Sequence, residues 1–226
     1  MKTYFVTGTD TEVGKSFVTA TILKCLSSAQ YKTLGFKPIA AGCEQTADGL
    51  RNEDGLLLQD ASSLDVPYEL VNPIAFEPPV APHLAAKQEN KVIDTPMLSD
   101  TLATLQGLEP DLLLVEGAGG WRLPLGNGRY LSDWCVEETL PVILVVGVKL
   151  GCLNHAVLTA EAIKRDGLKL AGWIANYCDE EMPLLNENVA SLKSLIDAPM
   201  LGEVKRAANS DEAGKFLEIS TLETLL

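Results

Sequence analysis

The chain has 226 residues and a formal net charge of −13, because 31 acidic side chains outnumber 18 basic ones. This balance disfavours binding to nucleic acid or to an anionic membrane surface. Hydrophobic residues make up 46% of the chain and charged residues 22%, a globular composition that excludes a disordered protein. The length fits one α/β domain, so we expect residues 1–226 to form a single domain.

Neither the N-terminus nor the cysteines indicate export. The apolar stretch Tyr4–Val6 is too short for a signal peptide, and the run Leu140–Val148 is less than half of the roughly 20 residues that a membrane helix needs. The five cysteines are widely spaced and form no Cys-x-x-Cys pair, which predicts neither a disulfide framework nor a zinc site. We therefore expect a cytoplasmic protein.

Short apolar segments recur along the chain and predict the strands of a sheet. Their hydrophobicity is continuous rather than alternating, which is typical of parallel strands covered by helices on both faces. The predicted strands are Tyr4–Thr7, Leu34–Phe36, Leu112–Val115, Val142–Val148, Leu170–Ala175 and Met200–Val204. Apolar residues at helical spacing follow the first strand, over residues 18–29. The predicted fold class is α/β, with a mostly parallel sheet.

The segment 65–96 interrupts this pattern. It contains six prolines and shows little periodicity. Prolines end helices and are excluded from the interior of sheets, so a central strand is not expected here. We predict a proline-rich excursion over the edge of the sheet.

A phosphate-binding loop is predicted between the first strand and the first helix. The segment Gly8–Ser16 ends in Gly14, Lys15 and Ser16 at a helix start, where backbone N–H groups bind anionic phosphates. Lys15 is expected to reach the terminal phosphates, and the Ser16 hydroxyl to bind magnesium. Five residues separate Gly8 from Gly14 instead of the usual four. A turn with a solvated lysine is the alternative, but the flanking strand and helix favour a P-loop NTPase-like fold that binds a nucleotide.

Charged side chains are also predicted at the ends of two other strands. Lys37 follows the second strand, where open parallel sheets bind ligands; it faces either a transferring phosphate or solvent. Glu116 follows the all-apolar run Leu112–Val115, where a carboxylate is costly unless it is paired or binds a metal. Together with Asp54, it suits magnesium held by carboxylates and phosphate oxygens. Helix capping and ion pairing are the alternatives for both acids.

These motifs together resemble the dethiobiotin synthetases, a family of ATP-dependent carboxylases of biotin synthesis. The resemblance runs from Tyr4 to about Glu203. The segments that carry it are Gly8–Ser16, Lys37-Pro38, Arg51–Asp54, Asn72-Pro73, Pro82-His83, Val115–Trp121, Leu140–Gly147 and Leu150–His155. It explains the long phosphate loop, because the family's motif has the same spacing.

The resemblance implies a reaction. One amine of 7,8-diaminononanoate is carboxylated by carbon dioxide, and the resulting carbamate attacks the γ-phosphate of ATP. The mixed anhydride then closes onto the second amine and gives a cyclic urea. ATP and magnesium are the implied cofactors.

The resemblance also implies a role for individual residues. The catalytic residues would be Lys37, Lys15 and Thr11, and magnesium would be held by Ser16, Asp54 and Glu116. The nucleotide would be bound by Glu12, Val13, Gly14, Lys15, Ser16, Phe17, Asp54, Glu116, Gly117, Ala118 and Gly119, with Asn176 at the adenine edge. The diamine would be bound by Thr11, Lys37 and Ala41, and by Gly151, Cys152, Leu153 and Asn154 of a neighbouring subunit. The implied assembly is a homodimer whose substrate site is shared between subunits.

Two positions depart from the family's pattern, and two other functions remain as alternatives. Ala41 stands where members of the family often have a serine that contacts the substrate. Lys205-Arg206 stand where a proline and an apolar residue are common near the nucleotide base. One alternative is a paralogous P-loop ligase with a different amine or acid. The other is a nucleotide-switched binding ATPase; against it, Thr9–Thr11 lacks the second lysine of partition-type ATPases.

Overall fold

A parallel sheet lies at the centre of the chain in the computed structural model, which describes residues 1–178, 182–205 and 207–226. The strands are β1 (Lys2–Gly8), β2 (Thr33–Phe36), β3 (Ile39–Ala41), β4 (Glu44–Thr46), β5 (Gly49–Arg51), β6 (Ile74–Phe76), β7 (Leu112–Gly120), β8 (Pro124–Gly126), β9 (Arg129–Tyr130), β10 (Val142–Val148), β11 (Leu170–Tyr177) and β12 (Met200–Val204). Six of these described strands form the sheet in the order β12-β11-β10-β1-β7-β2, and every neighbouring pair is parallel. The predicted α/β class is confirmed.

Helices flank this sheet. They are α1 (Lys15–Ser28), α2 (Glu53–Ala61), α3 (Tyr68–Val71), α4 (Pro82–Gln88), α5 (Thr95–Gln106), α6 (Leu131–Glu137), α7 (Cys152–Arg165), α8 (Leu185–Leu195), α9 (Ser210–Ala213) and α10 (Ile219–Leu222), with short 3₁₀ turns at Gly214–Phe216 and Glu223–Leu225. Helix α1 packs on β2 and β7, and α7 packs on β10 and β11. Across the described ranges, no helix combines the length and the apolarity needed to cross a bilayer.

Strand β10 explains why continuous hydrophobicity was a reliable signal. Its sequence is Val-Ile-Leu-Val-Val-Gly-Val, and all seven residues are buried. It pairs with β1 on one side and with β11 on the other, so both its edges and both its faces are covered. Burial of apolar side chains on two faces provides a large favourable contribution to folding and fixes this strand near the middle of the sheet.

Strand β7 is longer than the sequence predicted. The apolar run ends at Val115, but pairing continues to Gly120, which lies opposite Gly8 of β1. The register between β1 and β7 shifts just before this pair, and the glycines of β7 accommodate the irregularity. Glu116 therefore lies within the strand rather than after its end.

The proline-rich segment contains more regular structure than its composition suggested. It includes α3, β6 and α4, and β6 pairs in parallel with β3 in a separate two-stranded sheet. Pro82 is the first residue of α4, a position where the missing N–H of proline costs nothing. The segment lies beside β2, the edge strand of the central sheet. Just after β2, the N–H of Lys37 donates to the carbonyl of Val71, and the carbonyl of Pro38 accepts from the N–H of Ile74.

Candidate active site

The phosphate loop ends at a helix whose first turn has free N–H groups. Gly14 precedes α1 with a left-handed φ of 81°, and no side chain caps the helix. A Cβ at Gly14 would lie 2.2 Å from the amide nitrogen of Asn176, so both the conformation and the space require glycine. That amide donates to the carbonyl of Val13 at 2.9 Å and holds the loop against β11. The helix start is therefore preorganised for an anion.

Val13 fixes the loop to the end of the central sheet. Its buried side chain packs between Gly8 of β1 and Gly147 of β10, where an added Cβ would lie 2.5 Å and 2.6 Å from its methyl groups. The N–H of Gly147 also donates to the Thr9 hydroxyl at 3.3 Å. From the sequence, Gly147 was predicted only as part of an apolar strand. A glycine within the run Val-Val-Gly-Val, where a valine would otherwise continue the strand, is the signal that could have identified its role.

Lys37 lies between two carboxylates. Its ammonium nitrogen is 2.8 Å from Asp54 Oδ2 and 2.5 Å from Glu116 Oε1, and only 3% of the residue is exposed. The Ser16 hydroxyl donates to the same Glu116 oxygen at 2.7 Å, and the ammonium also donates to the carbonyl of Gly117. Helices α1 and α2, strand β7 and the segment that follows β2 thus bring one lysine, two acids and a hydroxyl together.

This cluster shifts the pKa values of its members. Burial lowers the pKa of Lys37, but Glu116 and Asp54 outweigh burial and hold the pKa above its ordinary value. Burial raises the pKa of Glu116, and Lys37 opposes that rise. For Asp54, the attraction of Lys37 exceeds the effect of burial and lowers the pKa. The pKa of Lys15 is lowered by burial and by the nearby charge of Lys37. Two ammonium groups this close favour an anionic ligand.

Backbone hydrogen bonds hold the cluster in place. The N–H of Lys37 donates to the carbonyl of Val71 at 2.7 Å, and the buried side chain of Asn72 donates to the carbonyl of Lys37 at 2.8 Å. The Asn52 side chain caps α2 by accepting from the N–H of Asp54, which sets that acid in the first turn of the helix. The proline-rich segment therefore supports Lys37 directly, and capping of α2 falls to Asn52 rather than to Asp54.

The oxygen atoms around Lys37 suit magnesium. Glu116 Oε2 is fully buried and has no hydrogen-bond partner among the described residues. Two carboxylates and the Ser16 hydroxyl are the hard oxygen ligands that magnesium uses together with substrate phosphates. No group of three or more His, Cys, Asp or Glu side chains occurs in the part of the chain that the structure describes, so the site needs oxygens from a ligand as well.

A cleft of about 730 Å³ opens beside these groups. Its lining includes the polar residues Thr11, Glu12, Lys15, Ser16, Lys37, Asn52 and Asp54, together with Gly14 and Gly119. The apolar residues of the lining are Phe17, Ala40, Ala41, Leu57, Pro79, Val80, Ala81, Pro82, Ala118 and Leu123. The motifs predicted most of the polar lining residues, but of the apolar ones only Phe17, Ala41 and Ala118. Among the others, Leu57 alone had a usable signal, because it lies three residues after Asp54 on the same face of α2.

The residues named for a neighbouring subunit do not line this cleft. Gly151 has a left-handed φ of 93° and precedes α7 without a side-chain cap, while Cys152 is buried and Asn154 is exposed. This helix start is therefore not part of the lining of the chain's own cleft. Val13 and Asn176 support the loop but do not line the cleft. Of the pair Lys205-Arg206, the second residue lies outside the described ranges.

The fold and the cleft together define a P-loop NTPase. Solved structures of the cell division protein MinD from Aquifex aeolicus, alone and with MinC, are similar to the chain with TM-scores of 0.57 and 0.60 at 14% and 17% identity. Each comparison covers 95% of this chain and 86% of the other. A ParA family ATPase from Chlorobium tepidum matches with a TM-score of 0.58 at 14% identity, over 99% of this chain and 92% of the other. These likenesses establish the fold.

Sequence comparison identifies the family. A family model described as an AAA domain matches residues 2–213. An ATP-dependent dethiobiotin synthetase of Aeromonas hydrophila is 50% identical, over 94% of each chain. That of Pseudomonas paraeruginosa is 51% identical, over 94% of this chain and 93% of the other. The chain belongs to the ATP-dependent dethiobiotin synthetase family, and the resemblance drawn from its motifs is confirmed.

Proposed function

We propose that this chain catalyses the ATP- and magnesium-dependent carboxylation and ring closure of 7,8-diaminononanoate, giving dethiobiotin, ADP and phosphate. The observation that carries the proposal is the convergence of Lys15, Lys37, Ser16, Asp54 and Glu116 beside one cleft with an apolar side. Phosphate-binding groups and an apolar wall meet there, as a reaction between ATP and an aliphatic diamine requires. Residues 1–226 act as one ATP-binding and carboxylase domain.

The chemistry proceeds in three steps. One amine adds to carbon dioxide and loses a proton, which gives a carbamate. A carbamate oxygen then attacks the γ-phosphorus, the bond to the β-phosphate oxygen breaks, and ADP leaves. The second amine attacks the carbonyl carbon of the mixed anhydride, loses its proton and expels phosphate, which closes the five-membered urea ring.

The two lysines stabilise the charge of the transferring phosphoryl group. Lys15 donates to the Asp10 carbonyl at 3.1 Å at the mouth of the loop, and Lys37 lies across the cleft on the carboxylate side. Preorganised cations of this kind need no rearrangement of solvent as charge develops. Magnesium, when held by Ser16, Asp54 and Glu116, supplies further neutralisation of the phosphate oxygens.

Other polar groups orient the reactants. Thr11 and Glu12 lie at the exposed end of the loop, where the carbamate and phosphate meet, and Ala118 and Gly119 line the same edge. Glu12 has a left-handed φ of 59°, a conformation that is uncommon for residues other than glycine and that turns the loop at this point. The Asn176 amide, now bonded to Val13, reads the adenine edge.

The apolar side of the cleft accommodates the hydrocarbon chain of the diamine. Ala40, Ala41, Leu57 and Val80 form a wall without charge, which favours methylene groups over water. Ala41 offers no hydroxyl to the substrate, so hydrophobic contact supplies the affinity at this position. The carboxylate end of the diamine extends beyond this wall.

We assign that carboxylate to a second copy of the chain. Gly151 starts α7 with no side-chain cap, which leaves helix N–H groups for an anion, and this segment is outside its own cleft lining. Leu150 beside it is 90% exposed, and Leu158 on the same helix is 57% exposed, as expected of a surface covered in a dimer. The homodimer operates in the cytoplasm, where all five cysteines are kept as the free thiols described here.

Release of phosphate tests the proposed function. Phosphate should appear only when ATP, magnesium, the diamine and bicarbonate are all present, because the acceptor is a carbamate that forms only when the amine and carbon dioxide meet. A paralogous ligase would respond to a different amine or acid. Phosphate release at an unchanged rate without any amine would instead identify a nucleotide-switched ATPase.

A further inference from the structure

The ammonium group of Lys37 lies where a metal ion would have to bind. It contacts Asp54 Oδ2 at 2.8 Å and Glu116 Oε1 at 2.5 Å, and the remaining Glu116 oxygen is buried without a partner in the described chain. The lysine is almost wholly buried, so this arrangement is a buried ion pair rather than a surface one. One cation is therefore already paired with both carboxylates that magnesium needs.

We propose that Lys37 is the resident cation of the metal site, and that magnesium binds there only after a bound nucleotide has drawn the ammonium group away. Lys37 and the metal then compete for the same two carboxylates, and the nucleotide decides the competition. This inference rests on the proposed function only through the assignment of Asp54 and Glu116 as metal ligands.

Charge arithmetic supports the competition. Without Lys37, two carboxylates would share a buried site, and the mutual repulsion together with desolvation is strongly unfavourable. With Lys37, the three groups carry a net charge of −1, which leaves little attraction for a divalent ion. A metal ion must therefore displace the ammonium group, because otherwise it loses most of the electrostatic attraction of the two carboxylates.

The ammonium group has nowhere favourable to move until an anion arrives. Lys15 and Lys37 are two buried cations that line the same cleft, so they repel each other. Phosphate oxygens placed between them convert this repulsion into attraction for both lysines. A nucleotide thus releases the carboxylates to the metal and at the same time places Lys37 on the phosphates.

Manganese binding without nucleotide tests the inference. Free Mn²⁺ is measured by electron paramagnetic resonance as the ion is titrated into the full chain and into Lys37→Met. The variant should bind Mn²⁺ at least about 10-fold more tightly, the effect expected when one opposing charge is removed from a site at contact distance. Wild-type protein should approach that affinity only when a non-hydrolysable ATP analogue is present.

Lys15→Met is the matched control. It removes one buried positive charge from the same cleft, but the Lys15 ammonium donates to the Asp10 carbonyl and contacts neither carboxylate. Its Mn²⁺ affinity should change much less than that of Lys37→Met. Equal tightening in both variants would show a general field effect and overturn the inference, as would an unchanged affinity in Lys37→Met.

A measurement on the unaltered chain covers the case in which Lys37→Met does not fold. Lysine side chains labelled with ¹⁵N should give a protected Lys37 ammonium signal that moves when the nucleotide is added and stays in place with magnesium alone. Movement of that signal with magnesium alone would contradict the inference. Neither experiment contains diamine or bicarbonate, so the carboxylase proposal stands or fails separately, by phosphate release.

Discussion

Glu116 has no exposed side-chain surface and lies in the middle of β7. The sequence suggested that such a carboxylate must be paired or bind a metal, and in the structure Lys37 and Ser16 pair with one of its oxygens while the other has no described partner. The paired oxygen explains how the strand tolerates the charge. The other oxygen has no described hydrogen-bond partner, so it leaves a position free for a ligand.

Removal of charge at the two acids should raise the magnesium requirement. We expect Asp54→Asn and Glu116→Gln each to increase the magnesium concentration for half-maximal phosphate release by about 10-fold or more, since both lose an anionic oxygen ligand but keep their shape. The matched control is Glu53→Gln, which removes one carboxylate from the same turn of α2 at an exposed position. An unchanged magnesium titration in both variants would reassign these acids to ion pairing alone.

At the scale of single elements, the contact between the phosphate loop and β10 depends on the absence of a side chain at Gly147. We expect Gly147→Ala to weaken ATP binding by about 10-fold or more. The new Cβ would lie 2.6 Å from Val13, so the phosphate loop would have to shift, and its N–H groups would no longer be preorganised for the phosphates. Equilibrium binding of a fluorescent ATP analogue measures the effect.

Gly172→Ala separates this effect from a general loss of packing. Gly172 lies on β11, and its Cβ would lie 2.7 Å from Leu201 on the neighbouring strand β12, which is comparable crowding away from the loop. This control should lower the free energy of unfolding while the folded protein keeps its ATP affinity. The loop explanation would be wrong if the two substitutions weakened nucleotide binding equally.

Asp166 links the end of α7 to the segment that follows β7. It accepts from the Trp121 indole at 2.8 Å and from Arg122 at 2.6 Å. Burial raises the pKa of Asp166, but Arg122 and Trp121 outweigh burial and lower the pKa below its ordinary value. A depressed folded-state pKa contributes stability above the unfolded-state pKa, near 3.9, and that stability is lost as the pH falls through the folded value.

Asp166→Asn should therefore unfold more easily at pH 7 and lose less stability on acidification than the parent chain. Urea unfolding at several pH values between 7 and 3 measures both differences. Asp100→Asn is the control, because Asp100 is exposed and forms no salt bridge within the described ranges. The explanation would be refuted if the free energy of unfolding fell equally steeply with decreasing pH in Asp166→Asn and in the parent chain.

Some elements could be predicted from the sequence, and the reasons are physical. β10 is apolar along its whole length and was predicted with the observed bounds, whereas β7 was cut at Val115 because glycines carry no hydrophobic signal. Gly8–Ser16 was recognisable because its chemistry is local. The meeting of Lys37 with Asp54 and Glu116 was not, because those partners are 17 and 79 positions away and tertiary packing alone brings them together.

At the scale of the whole molecule, a site shared between two copies predicts complementation. A Lys15→Ala chain keeps an intact α7 start, and an Asn154→Ala chain keeps an intact phosphate loop. Mixed dimers should therefore contain one site in which both parts are sound, and co-refolded mixtures should exceed the average activity of the parents. The shared site would be refuted if mixed dimers form, as shown by tagged purification, yet show no such gain.

Oxygen transfer from ¹⁸O-labelled bicarbonate tests whether the cleft passes the γ-phosphoryl group of ATP to a carbamate. In a single turnover, one labelled oxygen of the carbamate becomes bonded to phosphorus and stays there when the second amine closes the ring. Mass spectrometry should therefore find one bicarbonate-derived ¹⁸O in each phosphate, at the same enrichment as in the carbonyl of the ring, which serves as the internal standard. Phosphate that carries no bicarbonate-derived oxygen beside a labelled ring carbonyl would contradict the mechanism.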